Sequence, residues 1–314
     1  MALRSCLALL VFAAGMANAA ERFDIAITVD DLTAHGPLPQ GMSWTGVAQS
    51  TLASLKRHGV PEAYGFVNAA LIARHPGSGQ VLARWREAGY PLGNHTYSHM
   101  NINAAPSLQA WLDDVKAGEP AVAARMQDGD WRYLRFPYLA AGEDRARREG
   151  ALAWLRARGY RIAEVTLSFN DWAYSEAYGR CLASGDQAAI AAMRTRYLRE
   201  VDQEIARVKA LSQRVYGRMI PQVLLTHMGA FGALTLPEVL ARLDAAGARY
   251  VGLAQVQSDP AYREAGGAPG QGTLIERHAR AAGIPLAGLP QAASLDGIDA
   301  LCRPDPAGAG PAQP

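Results

Sequence analysis

Apolar and polar positions beyond residue 21 follow a repeating pattern, in which a helix leads directly into a strand. Four stretches with apolar residues at helical spacing end in a glycine, namely Gly59, Gly89, Gly159 and Gly247, and a β-rich segment follows each one. A glycine just past a helix adopts the left-handed conformation that other residues resist, so each marks a helix end. Repeated helix-to-strand units predict a mostly parallel sheet with helices outside it.

The pattern predicts about seven strands, which suits an α/β fold built as a closed or nearly closed (β/α) barrel better than an open sheet. The predicted strands cover residues 23–29, 63–67, 91–93, 133–136, 161–167, 223–226 and 250–253. A long helix is predicted over 187–215, and its apolar stripe indicates core packing, to which we assign no function. In such barrels the chemistry gathers after the carboxyl ends of the strands.

The two ends of the chain differ from this pattern. Residues 1–20 combine Arg4 with an apolar run and a small-residue site at Ala17-Asn18-Ala19, which is typical of a secretory signal peptide. We therefore expect an exported protein, periplasmic or secreted, with no membrane attachment after cleavage. Residues 21–258 form the predicted catalytic domain. Residues 259–314 are rich in Gly, Ala and Pro and predict a linker, short helical pieces and a disordered tail from residue 304.

Composition and charge exclude several classes of protein. The 314 residues are 49% hydrophobic and 19% charged, which excludes disordered, collagen-like and polytopic membrane proteins. A net charge of +2 gives no electrostatic footprint for nucleic acid. Without residues 1–20 the chain keeps two cysteines, Cys181 and Cys302. In an exported protein such a pair predicts a disulfide, and the alternative is two free buried thiols.

Candidate metal chemistry follows two of the strands. Asp30 and Asp31 end the first strand, and two adjacent carboxylates cannot both be buried without compensation. His95 and His99 are spaced to lie on one face of a helical turn, where neutral imidazoles can bind one divalent metal. One carboxylate of the pair would complete the ligand set. The other would stand beside the metal as a base for a water molecule.

Two further strand ends add complementary groups. Arg135 can orient the free carboxylate through a bidentate pair, and His227 can donate a proton to a leaving nitrogen or oxygen. Each residue has a simpler alternative, since a lone Arg is usually part of a surface ion pair and a His at a strand end is often structural.

Five ordered motifs in this sequence resemble those of the polysaccharide deacetylase family, also called the NodB homology domain. They are Thr28–Asp31 (Thr-Phe-Asp-Asp in the family), His95–His99 (His-Ser/Thr-x-x-His), Arg135–Tyr138 (Arg-x-Pro-Tyr), Asn170–Trp172 (the end of Asp-x-x-Asp-Trp) and Leu225–His227 (Leu-x-His). The resemblance implies a distorted (β/α) barrel, which agrees with the predicted strands. Val29, Leu32 and Ser168 depart from the family pattern. None of these departures replaces a metal ligand, the base or the acid that the resemblance implies.

The resemblance implies a role for each matched residue on the metal side. Asp31, His95 and His99 would bind a divalent metal, which in this family is usually zinc or cobalt. Asp30 would be the general base, and Arg135 would hold it.

The remaining matched residues are implied to serve the leaving group and the substrate. His227 would be the general acid and Asp171 would tune it. The backbone N–H of Tyr138 would stabilise the oxyanion, while Trp172 and Leu225 would form apolar walls around the acetyl methyl.

These roles imply an exported metal-dependent hydrolase that removes N-acetyl groups from an amino-sugar polymer or oligomer, such as chitin, peptidoglycan or a secreted glucosamine polymer. Two alternatives stay open. The same site can hydrolyse O-acetyl esters or a non-sugar amide, or the barrel can be a sugar-binding module without turnover. The paired base and acid disfavour the last alternative, because binding alone needs neither.

Overall fold

A computed structural model describes residues 22–127 and 129–303. The predicted signal peptide and residues 304–314 of the predicted tail lie outside the described residues. The sheet that results is built around one long central strand, whose neighbours on both sides run parallel to it.

Eight strands form this parallel sheet. They are β1 (Phe23–His35), β2 (Ala63–Val67), β3 (Leu92–Asn94), β4 (Tyr133–Leu134), β5 (Arg161–Ile162), β6 (Leu167–Ser168), β7 (Gln222–Gly229) and β8 (Ala248–Tyr250). Their order is β5-β4-β3-β2-β1-β7-β6, and β8 pairs with the first residues of β1. Among the described residues no pairing joins β5 to β6, so the barrel stays open there.

Two predicted strands need correction. The strand predicted over 161–167 is two short strands, because the segment changes partner along its length: Arg161 pairs with β4 and Leu167 pairs with β7. The residues between them cross the opening of the barrel. The strand predicted over 250–253 lies instead at Ala248–Tyr250, and a helical turn begins at Leu253.

Helices cover the outside of the sheet, as predicted. They are α1 (Trp44–Arg57), α2 (Ala70–Arg74), α3 (Gln80–Glu87), α4 (Leu108–Met126), α5 (Arg145–Ala157), α6 (Ser175–Ala183), α7 (Gln187–Tyr216), α8 (Ala230–Ala245), α9 (Leu253–Val256), α10 (Pro260–Ala265) and α11 (Leu274–Ala281). The glycines expected to end helices, among them Gly89 and Gly247, all have positive φ. None of the helices in the described ranges is long and apolar enough to span a membrane.

The central strand β1 is buried along almost its whole length, at small and polar residues such as Ala26 and Thr28 as well as at large apolar ones. Helices on the outside of the sheet contribute apolar side chains such as Leu55, Trp85 and Leu243, all fully buried, to the same core as β1. Burial continues past the apolar residues to Asp30 and Asp31, which are 2% and 8% exposed. The strand therefore carries two carboxyl groups into the protein interior.

The C-terminal segment packs onto the barrel. Tyr262, Leu274 and Ile275 are buried in the main core. A disulfide joins Cys181 of α6 to Cys302, as the cysteine count predicts. The bond closes a loop with a sequence separation of 121 residues and holds the end of the described chain against α6.

Candidate active site

The two carboxylates of β1 and the histidine of β7 come together through strand register. Asp30 pairs directly with His227 across the β1–β7 ladder. The ladder with β2 shifts register between Val29 and Leu32. Asp31 at this bulge has φ of 56°, a left-handed conformation that aspartate tolerates better than most residues. The two neighbouring carboxylates therefore serve different sets of partners.

Asp31 lies beside both histidines of the His95–His99 motif. The Oδ1 atom of Asp31 is 3.7 Å from Nε2 of His95 and 3.8 Å from Nε2 of His99. These residues form a group whose possible ligand atoms all lie within 4.8 Å of one another. The expected helical turn is wrong, since the motif is a loop after β3 in which Thr96 and His99 both have φ of 63°. These two left-handed residues, rather than helical periodicity, bring the histidines together.

The donor set fits a divalent metal. Nδ1 of His95 lies 2.8 Å from the carbonyl oxygen of Arg135, a contact that places the proton on Nδ1 and leaves the Nε2 lone pair for a ligand. Burial lowers the pKa of His95 to about 4 and that of His99 to about 4, so both imidazoles are neutral at pH 7. Burial alone would raise the pKa of Asp31, but the hydrogen bond with His35 and nearby histidines hold it well below its usual range.

Asp30 is buried beside Arg135, with a looser contact than the sequence suggests. Arg135 Nη1 donates to Asp30 Oδ2 at 3.4 Å, while its other N–H groups bond to Thr28 Oγ1 and to the carbonyl of Ala163. The expected bidentate pair is therefore wrong. Asp30 Oδ1 has no hydrogen-bond partner among the described residues. Burial raises the pKa of Asp30 to about 6, although Arg135 and His227 oppose the shift.

His227 and Asp171 form a closely bonded pair. Nδ1 of His227 lies 2.8 Å from Asp171 Oδ1. The other carboxylate oxygen of Asp171 accepts hydrogen bonds from the backbone N–H of His227 and the hydroxyl of Thr226. Burial lowers the pKa of His227, but Asp171 outweighs burial and, with Asp31 and Asp30, raises it to about 9. His227 is therefore an imidazolium at pH 7, with Nε2 as a proton donor.

The structure adds two residues that sequence reasoning missed, His35 and Asn68. Nδ1 of His35 lies 2.6 Å from Asp31 Oδ2, and Nδ2 of Asn68 donates to Asp31 Oδ1 at 2.5 Å. The His35 ring also lies 4.7 Å from the ring of His227. The available signal was the histidine four positions after Asp31, but the predicted strand ended at residue 29, so His35 was not placed at the site.

A cavity of ≈ 490 Å³ contains the whole site. Asp30, Asp31, His95, His99 and His227 line it, together with the three predicted substrate residues Tyr138, Trp172 and Leu225. The aromatic side chains of Tyr138 and Trp172 are 54% and 47% exposed, whereas Leu225 is buried. The Tyr138 ring packs against His99, with centroids 4.4 Å apart. Asp171 and Arg135 stand behind this lining and contact the residues that form it.

Known proteins match this arrangement at the level of family and fold. Residues 17–157 match the family model described as polysaccharide deacetylase. The matched part of the chain carries the first three motifs, and the resemblance noted from the motifs is confirmed by this match. None of the curated proteins matches the sequence.

Solved structures support the fold. A wild-type CE4 family pseudoenzyme from Bacillus anthracis has a TM-score of 0.51 at 15% identity, over 76% of this chain and 66% of that chain. A mutant of that pseudoenzyme with restored enzymatic activity has a TM-score of 0.51 at 16% identity, over 76% of this chain and 68% of that chain. A polysaccharide deacetylase from Bacillus cereus has a TM-score of 0.50 at 18% identity, over 74% of this chain and 92% of that chain. The expected NodB-like (β/α) barrel is thereby confirmed.

The contact between His35 and Asp31 generates a first prediction. Replacing His35 by alanine frees Asp31 Oδ2, so we expect zinc affinity to fall about 10- to 100-fold, as is usual when a residue that orients a metal ligand is lost. Competition titration against a chromophoric chelator measures this affinity. His58→Ala is the matched control, because Nδ1 of His58 contacts Asp244 at the same distance of 2.6 Å outside the site cavity. Equal zinc affinities for wild type and both variants would show that His35 does not anchor Asp31.

Proposed function

We propose that this protein is a metal-dependent hydrolase that removes N-acetyl groups from amino-sugar chains. One observation carries the proposal. A single cavity holds a three-residue ligand set at Asp31, His95 and His99, a buried carboxylate at Asp30 and an imidazolium at His227. The family match over residues 17–157 supports the same reaction class.

On this proposal Asp31, His95 and His99 hold the divalent metal, with zinc the favoured ion. When bound, such an ion acts as a Lewis acid and lowers the pKa of water at the site. Neutral imidazoles and an ionised carboxylate are the protonation states that binding requires, and burial and hydrogen bonding produce them in this chain.

Asp30 acts as the general base. Its free Oδ1 atom is available to accept the proton of the attacking water. A pKa of about 6 leaves Asp30 ionised at neutral pH and still basic enough to accept a proton. Arg135 positions it through Oδ2, so the two oxygens of the carboxylate have separate tasks.

His227 acts as the general acid. Water adds to the acetamide carbonyl, the carbon–nitrogen bond then breaks, and Nε2 of His227 protonates the departing amine, so that acetate and a free amine result. An amine leaves only when it is protonated, whereas an alcohol depends less on protonation to leave. The cationic state of His227, which Asp171 maintains, therefore favours N-acetyl over O-acetyl substrates.

The residues around the rim suit a sugar ring. Tyr138 and Trp172 expose aromatic surface at the cavity, and such surface packs well against the apolar face of a pyranose. Buried Leu225 gives the acetyl methyl an apolar contact. We further propose that the protein is exported, which the disulfide between Cys181 and Cys302 supports because disulfides persist in oxidising compartments.

Acetate release tests the proposal directly. Purified protein without residues 1–20 should release acetate from acetylated chito-oligomers or peptidoglycan fragments, lose this activity to a chelator, and regain it with zinc or cobalt. Release that is unaffected by exhaustive metal removal would contradict the metal-dependent reaction. Release only from O-acetylated sugars would favour the esterase alternative.

Asp30→Asn should reduce kcat by about 100-fold or more, since general-base catalysis contributes 10²–10⁴-fold. Zinc should remain bound, because Asp31 and both histidines are unchanged. Acetate release and zinc content are measured on the same preparation. Asp24→Asn removes the partner of Arg249 at the protein surface and serves as control. Substantial acetate release by Asp30→Asn would show that another group is the base.

Asp171→Asn should move the alkaline limb of the pH profile. Activity needs protonated His227 and is lost as pH rises through its pKa of about 9. Without the Asp171 carboxylate, burial lowers that pKa, so the limb should shift to lower pH while the acid limb set by Asp30 changes little. The profile of kcat/KM from pH 5 to 11 measures both limbs. Asp244→Asn, which removes the partner of His58, is the control. An unmoved alkaline limb would show that Asp171 does not tune the acid.

A further inference from the structure

The site cavity is bounded on one side by parts of the chain that lie outside the five motifs. These are residues 204–211 of α7, residues 271–276 and Ala292, which we call the wall. Within the wall, Val208 and Leu211 are buried apolar residues, while Glu204 and Arg207 add charged groups. The cavity therefore extends well beyond the space that an acetyl group needs.

Backbone hydrogen bonds fix the wall next to the catalytic motifs. Gly272 N donates to the carbonyl of Leu139 at 3.3 Å, and Ala141 N donates to the carbonyl of Gly270 at 3.0 Å. On the other side of this loop, Leu274 N donates to the carbonyl of Val165 at 2.7 Å, within the segment that crosses the barrel opening. Residues 271–276 of the wall therefore lie between the loop after β4 and the segment that joins β5 to β6.

Side chains of α7 secure the rest of the wall. Glu204 Oε1 accepts from Ala293 N at 2.8 Å, and Arg207 Nη2 donates to Glu276 Oε1 at 2.8 Å. Arg196 donates to the carbonyls of residues 294 and 296. The disulfide holds the same segment further along, at Cys302. These attachments hold the wall against α7 and against the loop after β4.

A polymer that is deacetylated at an internal unit must extend out of the site in two directions. The wall contributes Glu204, Arg207, Gln271 and Ala292, among others, to the lining of the cavity that such a polymer would have to pass. The cavity of ≈ 490 Å³ also lies in the lower part of the range of 300–1,000 Å³ that small-molecule sites occupy. Its chemistry combines an apolar strip with the carboxylates and guanidinium of Glu204, Glu276 and Arg207, groups that hydrogen-bond well to sugar hydroxyls.

We propose that the wall makes this site specific for a terminal N-acylated amino-sugar unit, either at a chain end or in a short oligomer, and excludes units inside a long polymer. This inference rests on the proposed function, because it names the substrate class of the same site. The substrate ring enters between Tyr138 and Trp172, and the wall ends the pocket beyond it.

Product mapping tests the inference on the native protein. N-acetylglucosamine dimers and hexamers are partly converted, and mass-spectrometric sequencing locates the free amines. We expect deacetylation at one terminal unit only, and kcat/KM for the hexamer no greater than for the dimer. Free amines at internal units, or kcat/KM that rises steadily with chain length, would overturn the inference while the proposed function stands.

An aryl acetate ester serves as a probe that reports hydrolysis without a sugar chain. Metal-dependent acetate release from this ester but from no amino-sugar substrate contradicts the proposed N-acetyl substrate, and the inference with it, and leaves a metal-dependent hydrolase. Deacetylation at internal units, in contrast, contradicts the inference alone. Absence of metal-dependent release from every substrate overturns the proposed function, and the inference with it. The two failures are therefore distinguishable.

A pair of tryptophan substitutions tests whether the wall touches substrate. Ala292 is exposed and lines the cavity, whereas Ala287 is exposed in the same segment and does not line it. Ala292→Trp narrows the pocket, and we expect KM for the dimer to rise about 10-fold with kcat less affected, the pattern of lost substrate binding. Ala287→Trp should leave both constants unchanged. An unchanged KM in Ala292→Trp, with thermal unfolding equal to wild type, would overturn the inference.

Discussion

Burial of two adjacent carboxylates at the end of β1 is the constraint around which the site is arranged. Neither Asp30 nor Asp31 can be charged in the interior without compensation, since desolvation and mutual repulsion both raise the pKa. The structure compensates them unequally. Asp31 receives close contacts from His35 and Asn68 on its two oxygens. Asp30 receives one long contact from Arg135, and the pKa values of the two groups therefore move in opposite directions.

Backbone conformation at the strand ends makes this arrangement possible. Several non-glycine residues with positive φ lie in the site loops: Asp31, Thr96, His99, Tyr138, Leu139 and Asn170. Such conformations cost about 1–3 kcal/mol each and persist only where surrounding contacts enforce them. Hydrogen bonds to the loop after β4 and the packing of Tyr138 on His99 supply part of that enforcement. The position of each ligand thus depends on contacts made well outside the motif that contains it.

Local signals in the sequence were sufficient to predict the parallel sheet and to predict that the motifs meet at one site. Each glycine that ends a helix can be recognised from its local sequence. Parallel strands then bring their carboxyl ends to the same edge of the sheet. The contact of His35 with Asp31 could not be predicted from the sequence, because it depends on β1 continuing through a bulge to residue 35. The wall could not be predicted either. Glu204 joins its two parts by accepting from the main-chain N–H of Ala293, and such bonds leave no pattern in the sequence.

Partners oppose the effect of burial on the pKa of both Asp30 and His227, but they outweigh burial only at His227. Burial favours the neutral form of both groups, so on its own it would leave a protonated acid and a neutral imidazole, the reverse of what the proposed reaction needs. The single contact of Arg135 only partly opposes burial at Asp30, whereas Asp171 overcomes burial at His227. Between pH values of about 6 and about 9 the base is therefore ionised while the acid is protonated. A divalent cation beside Asp31 would lower the pKa of Asp30 from this raised value and extend the interval towards acid pH.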